Sequence, residues 1–550
     1  MTPDWKTIKD TVSIPHSYNL DEKFGEHKVG IGFYRKELLI PEKFRDRNLF
    51  LRFEGVCLYA NVYIDGILVG QSPGAYLPFE LPLPKNITPG KRVELEIQVN
   101  NELHDRDIPD RMCNGWWIFG GLIREVYLVA KSHNRFDDIC IRTFYKSDGN
   151  FDMTIGYRCV GTAPDSVQII VRDSANAVIA RKTDASRAIA GDVTVNVKKV
   201  KPWTPDNPCL YNVSLTPWYD RCQGGCRVIL RGFAQLTVRG NKMFLNGKNI
   251  FIRGIGRHDV IDKSGPLLTR QERITDLADI KRLGCNSVRI AHFPQPREIY
   301  DICDSIGLIV MDEMPAWKTS NRFLGSDQGV KCGKGYVERL IKEHGNNTSV
   351  MIWSIGNEFS GESPGGAQYV EKIAEFIHAA DPSRLVTFCI FDYQAGPALY
   401  KADFISINEY LGWYVGSVSW LRPMLEKIGS QYGKPVIVSE FGSIAQFGKH
   451  SENPVLSGSI RAVLSKDLSE EYQAAYIGAQ IDTITVSRGC AGFYIWNYTD
   501  FMEHREPPRT KEMPPGLNAM GLVTLKREKK AAYDIVKEKM NTLSKKPVLK

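Results

Sequence analysis

Along the first 135 or so residues, apolar and polar positions alternate in short runs at 33–40, 48–53, 60–64 and 93–99. A period of two over five to eight residues marks a strand with one buried and one wetted face. Turn formers separate the runs, as at Asp65-Gly66 and Pro89-Gly90. The same style recurs at 138–143, 151–158, 166–172 and 192–197. The spacing predicts a β jelly roll over 1–135 and an immunoglobulin-like sandwich over 136–238. After Val238 the period changes. Thr269 and Glu272 form a capping-box pair, Ile274, Leu277, Ile280 and Leu283 follow at helical spacing, and Gly284 supplies a stop. Apolar strand runs then alternate with helical stretches. They fall at 252–258, 286–292, 308–313, 350–358, 385–389, 404–410, 436–440 and 492–496. Eight such strands predict a multidomain chain whose last part, 239–550, is a (β/α)8 TIM barrel, with a doubly wound sheet as the alternative.

The length of 550 residues suits about three domains. The net charge of +8 is spread along the chain and interleaved with acids, so no nucleic-acid partner is expected. No leader pattern and no run of about 18 apolar residues occurs, which predicts no membrane span. Cys285, Cys303, Cys389 and Cys490 sit in apolar runs, as reduced thiols of a cytoplasmic protein would. Cys222 and Cys226 lack a second pair or nearby histidines, so no metal site is expected. No glycine-rich loop opens a helix after a strand, so no organic cofactor is expected either.

The chemistry gathers where the barrel strands end. These ends read Arg257-His258-Asp259, Arg289-Ile290-Ala291-His292, Asp312-Glu313, Asn357-Glu358, Asn408-Glu409-Tyr410, Glu440 and Trp496-Asn497. In a barrel of this type the C-terminal strand ends converge on one pocket. Two carboxylates on different strands can have their pKa values driven apart by different surroundings, as glycoside hydrolysis requires. Asp312 and Glu313 read as barrel-end structure bonded to arginines. Glu409 alternates away from Tyr410 and is expected outside the pocket or in contact with the residues that line it.

The segment Glu343-His344-Gly345-Asn346-Asn347-Thr348-Ser349, running into Asn357-Glu358, resembles the acid/base signature of glycoside hydrolase family 2. So does Asn286-Ser287-Val288-Arg289-Ile290-Ala291-His292-Phe293-Pro294. The resemblance covers nearly the whole chain. It implies a retaining exo-β-glycosidase acting on terminal β-linked sugars of small glycosides or oligosaccharides. It implies Glu358 as general acid/base, Glu440 as nucleophile, Asn357 on the 2-hydroxyl and Tyr410 on the nucleophile. His292, Trp496, Asn408, Tyr414, Arg257, His258 and Asn518 are the further substrate-binding expectations. Bland readings stand beside them: Trp496 and Trp413 as core aromatics, and His258 as a buried, backbone-satisfied histidine. Homo-oligomers are common in the family, which leaves self-association open.

Departures bear on the sugar. The glucuronidase branch carries Asn-x-Lys after strand eight, where this chain has Asn518-Ala519-Met520. Arg505, Arg509 and Lys511 are alternative cations in the preceding loop. The loop Gly115-Trp116-Trp117 resembles one that reaches the barrel pocket in the family, with Gly115 where an acid is frequent. A β-glucuronidase or β-galacturonidase-like activity is the leading expectation and a β-galactosidase the alternative. A transglycosylase and a non-catalytic carbohydrate-binding protein are the more distant readings.

Overall fold

The computed structural model describes residues 10–20, 28–111, 113, 115–147, 149–391, 396–454, 456, 467–504 and 514–545. In the first domain a four-stranded sheet (Ile31–Leu39, Arg92–Asn100, Tyr59–Ile64, Ile67–Gln71) packs on a three-stranded one (Phe79–Pro82, Asn48–Phe53, Val126–Lys131). Alternating residues such as Leu49, Leu51, Phe53, Val93, Leu95 and Ile97 point into the shared core. Asp65 and Gly66 both take positive φ, 48° and 76°, making the tight turn between Ile64 and Ile67. A second sandwich follows. Its sheets centre on Asn150–Val160 and Ser166–Arg172, whose inward residues Met153, Ile155, Val167, Ile169 and Val171 fill one core.

The rest of the chain is built around a closed barrel of eight parallel strands. In order they are Ile252–Arg257, Ser287–Ile290, Ile309–Glu313, Val350–Asn357, Leu385–Ile390, Ile405–Asn408, Val436–Glu440 and Cys490–Ile495. Buried on both faces, they read as near-continuous apolar runs. The capping box at Thr269 and Glu272 is formed at the head of helix Arg270–Arg282. The hairpin Leu236–Arg239 and Lys242–Leu245 spans the position where the sequence suggests the last boundary. Leu236, Met243 and Leu245 share an apolar layer with Ile252, Ile309, Met351 and Ile437 at the N-terminal ends of the strands.

Strand six is shorter than the expected 404–410. It ends at Asn408, and Glu409 N donates to Glu440 O instead of continuing the ladder. Asn408 and Tyr410 still reach the Glu358 and Glu440 carboxylates, while the buried Glu409 between them has its Oε1 accepting from Leu411 N. Among the described residues no helix is long and apolar enough to cross a membrane.

Candidate active site

The pocket floor is an ionic cluster joining four strands. Arg289 on strand two is fully buried. Its Nη1 donates to Glu440 Oε1 at 2.7 Å, and its Nε and Nη2 grip Glu313 Oε2 at 3.1 and 2.9 Å. Its Nη2 also donates to Asn357 Oδ1 at 2.9 Å. Glu313 accepts from His292 Nδ1 at 2.7 Å and from Ser354 Oγ at 2.7 Å. Burial alone would raise the Glu313 carboxyl, but Arg289, His292 and Ser354 outweigh it and hold the acid at about 2. Glu313 is thus a fixed negative charge that orients both Arg289 and His292.

Glu440 lies at the end of strand seven. Tyr410 Oη donates to its Oε2 at 2.8 Å, so each carboxylate oxygen has a donor. Burial lifts Glu440 above the usual carboxylate range. Arg289 and His292 oppose that rise, Glu358 adds to it, and Tyr410 counters it. Tyr414 packs beside Tyr410 with ring centroids 5.0 Å apart.

Glu358 is the first residue past strand four and takes a left-handed φ of 55°. Its N–H donates to Cys389 O on strand five. Asn408 Nδ2 donates to Glu358 Oε1 at 3.1 Å and to Asn357 Oδ1 at 2.9 Å. Ser439 Oγ holds the Asn408 carbonyl at 2.9 Å. Asn357 Nδ2 is buried without a partner among the described residues.

A wall of rings closes one side. His292 stacks on Trp496 at 4.8 Å, and His258 stacks on Phe501 at 4.1 Å while meeting Trp496 edge-on at 5.4 Å. Burial, with help from His292, Arg289 and Arg257, keeps His258 well below the ordinary histidine range, so it is neutral. Its Nε2 has no partner among the described residues. The first domain contributes Trp116, whose ring lies 5.8 Å from that of His292 and 6.3 Å from that of Trp317. A Cβ on Gly115 would meet Trp317 at 2.9 Å, so glycine permits this close approach. The same loop is tied to the barrel by Trp117 N donating to Met502 O and Ile118 N donating to His504 Nε2.

The fold thus gathers Glu358, Glu440, Asn357, Asn408, Tyr410, Tyr414, His292, His258 and Trp496. Arg257 is not part of this group. Fully buried, it binds Asp259, Gln295 and Asp276 at 2.6–2.9 Å. Asn518 is near the wall through strand pairing with Phe501, but its Nδ2 donates to Glu503 Oε2 at 3.1 Å and its Oδ1 accepts from Met520 N at 3.2 Å. Asp312 accepts from Tyr300 and His344, not from an arginine. Arg505, Arg509 and Lys511 lie outside the described residues. Glu313 is bonded to an arginine as expected, but Arg289 and Glu313 also belong to the site, which their strand-end addresses alone did not indicate. Both stood at strand ends, and the signal for them was a barrel-end acid facing a barrel-end arginine one strand away.

A family model described as "Glycosyl hydrolases family 2, TIM barrel domain" matches residues 236–545, and one described as "sugar binding domain" of the same family matches residues 6–132. A putative beta-glucuronidase from Formosa agariphila is 26% identical, over 96% of this chain and 66% of its own length. The beta-glucuronidase of Rattus norvegicus is 26% identical over 96% of this chain and 84% of its own. Among solved structures, the beta-D-glucuronidase of Dictyoglomus thermophilum superposes with a TM-score of 0.85 at 25% identity, covering 99% of this chain and 96% of that one. A putative beta-galactosidase from Bacteroides fragilis shares the fold, with a TM-score of 0.88 at 24% identity over 99% and 82% of the two chains.

Proposed function

Since the chain belongs to glycosyl hydrolases family 2, we propose that it hydrolyses terminal β-glycosides with retention, through Glu440 as nucleophile and Glu358 as acid/base. The observation that carries this reading is the division of labour between the two carboxylates. Glu440 has both oxygens held by Arg289 and Tyr410, which fixes it as an anion aimed from the pocket floor. Glu358 is held through Oε1 by Asn408, while its Oε2, 3.4 Å from the half-exposed Lys318 Nζ, is the oxygen that exchanges a proton with a leaving oxygen. In the first step Glu440 attacks the anomeric carbon, the bond to the aglycone oxygen breaks, and the Glu358 proton passes to that oxygen. In the second, Glu358 takes a proton from water, the water oxygen bonds to the anomeric carbon, and Glu440 is released. The unpartnered Asn357 Nδ2 suits the sugar's 2-hydroxyl, and Trp496 with His292 suits the ring.

For the sugar, the relatives named beta-glucuronidase favour a uronide. A neutral glycone such as galactose is the second reading, and a specific observation favours it. Met520 brings no charge, and Asn518 faces the buried Glu503 carboxylate. The nearby Lys530 is engaged by Asp500 at 2.8 Å. Seating a uronate there without a cation costs several kcal/mol. The uronide reading therefore needs a cation from elsewhere, and the preceding loop, with Arg505, Arg509 and Lys511, is the nearest source in sequence. A panel of p-nitrophenyl β-glycosides (glucuronide, galacturonide, galactoside, glucoside, mannoside, fucoside) tests both. Turnover of uronides that is lost in Arg505→Ala or Arg509→Ala supports the first reading. Turnover of galactoside alone, with uronide cleavage gained in Met520→Lys, supports the second. No turnover of any member sinks the glycosidase reading.

A further inference from the structure

We infer that Lys318 and Phe391 form the leaving-group side of the site and select aglycones that carry an anionic group on an apolar or ring-shaped body. The inference rests on the acid/base role proposed for Glu358. The segment after strand three runs beside the end of strand four. Asn357 N donates to Ala316 O and Lys318 N donates to Asn357 O, so Lys318 is drawn alongside Glu358 by two backbone bonds of 2.9 Å. Lys318 takes a left-handed φ of 50° beside the left-handed Glu358. In this geometry Lys318 Nζ lies 3.4 Å from Glu358 Oε2, the oxygen that Asn408 does not hold.

The lysine stem is steered from below. Its ammonium sits 4.4 Å from the centre of the Trp317 ring, and Trp317 is itself wedged under Gly115 of the first domain. Yet the Lys318 side chain is 50% exposed, so its charge is open to an incoming group. On the other flank, strand five hands its Cys389 carbonyl to Glu358 N, and two residues later Phe391 is 54% exposed. Glu358 therefore has an exposed cation beside its Oε2, and the exposed Phe391 follows two residues after the strand-five carbonyl that Glu358 N binds. A flexible ammonium with three donors suits a carboxylate or sulfate on the leaving group, and the ring suits its body. An anion there would replace Glu358 as the partner of Lys318.

The test uses a glycone that the wild type cleaves, linked to 3-carboxyphenyl or to the isosteric 3-carbamoylphenyl. The readout is the ratio of the two kcat/KM values, each referred to the same enzyme's dependence of kcat/KM on leaving-group pKa across neutral aryl aglycones, so that a defect in Glu358 itself is separated out. Wild type should favour the carboxyl compound by about threefold, the size an exposed ion pair gives, and the preference should fade in high salt. Lys318→Met should bring the ratio to one or below, Lys318→Arg should restore it, and Phe391→Ala should weaken both aryl glycosides against the methyl glycoside. A ratio already at one in the wild type, or equal losses for both compounds in Lys318→Met, overturns the assignment and leaves Lys318 as a positioning residue for Glu358. Absence of turnover for every glycoside overturns the underlying glycosidase reading as well.

Discussion

Replacing Tyr410 by Phe removes one hydroxyl and nothing else, and it acts on a single atom of the site. That hydroxyl donates to Glu440 Oε2 at 2.8 Å in a buried setting, while Arg289 keeps its own 2.7 Å bond to Oε1. The phenyl ring still fills the space beside Tyr414. The hydroxyl is one of the groups that oppose the burial-driven rise of Glu440, so its loss raises that acid further. A hydrogen bond to a charged group is worth about 1.5–3 kcal/mol, which at 1.36 kcal/mol per pH unit is a shift of about one to two units. The assay is kcat/KM against pH, whose acidic limb reports the essential base of the free enzyme. The limb should move upward by about one to two units in Tyr410→Phe, with activity recovering toward high pH. A limb that stays in place or moves downward refutes the reasoning, because it would mean that Tyr410 does not stabilise the Glu440 anion.

Glu358→Ala should slow glycosides with poor leaving groups far more than activated aryl ones, and azide should restore turnover of the latter as a β-glycosyl azide; equal losses without an azide product would count against Glu358. Glu313→Gln should destabilise the fold by about 3 kcal/mol at pH 7, since a carboxyl moved from 4.5 to about 2 gives that much linkage energy. Because the folded value is depressed, this stability is present above about pH 4.5 and is lost as pH falls toward 2. Urea unfolding of the two proteins should therefore show a gap that narrows below pH 4.5, and a gap that widens on acidification contradicts the fixed-charge role of Glu313.

Much of this architecture was legible in the residue pattern, and the reasons are local. Apolar runs buried on both faces marked each barrel strand, and Thr269 with Glu272 announced a helix start that the structure forms. The strand-end positions also drew attention to the residues that now line one pocket. What stayed hidden depends on pairings between distant segments. Arg257 has the same strand-end address as His258, yet Asp259, Asp276 and Gln295 claim its guanidinium. Glu313 looked like a structural acid. It is bonded to an arginine as expected, but that arginine also holds Glu440. Glu409 sits between Asn408 and Tyr410, which reach the Glu358 and Glu440 carboxylates, and its own carboxylate accepts from Leu411 N instead. Lys318 carried no signal at all, since its place beside Glu358 follows from backbone pairing between two loops.

The central claim is that Glu440 forms the covalent bond to the sugar. The most direct measurement is to inactivate the enzyme with an activated 2-deoxy-2-fluoro glycoside of the preferred sugar, digest it, and locate the added mass. The account predicts the label on Glu440, time-dependent inactivation in the wild type and none in Glu440→Gln. A label on Glu358, Glu409 or Glu313 would contradict it.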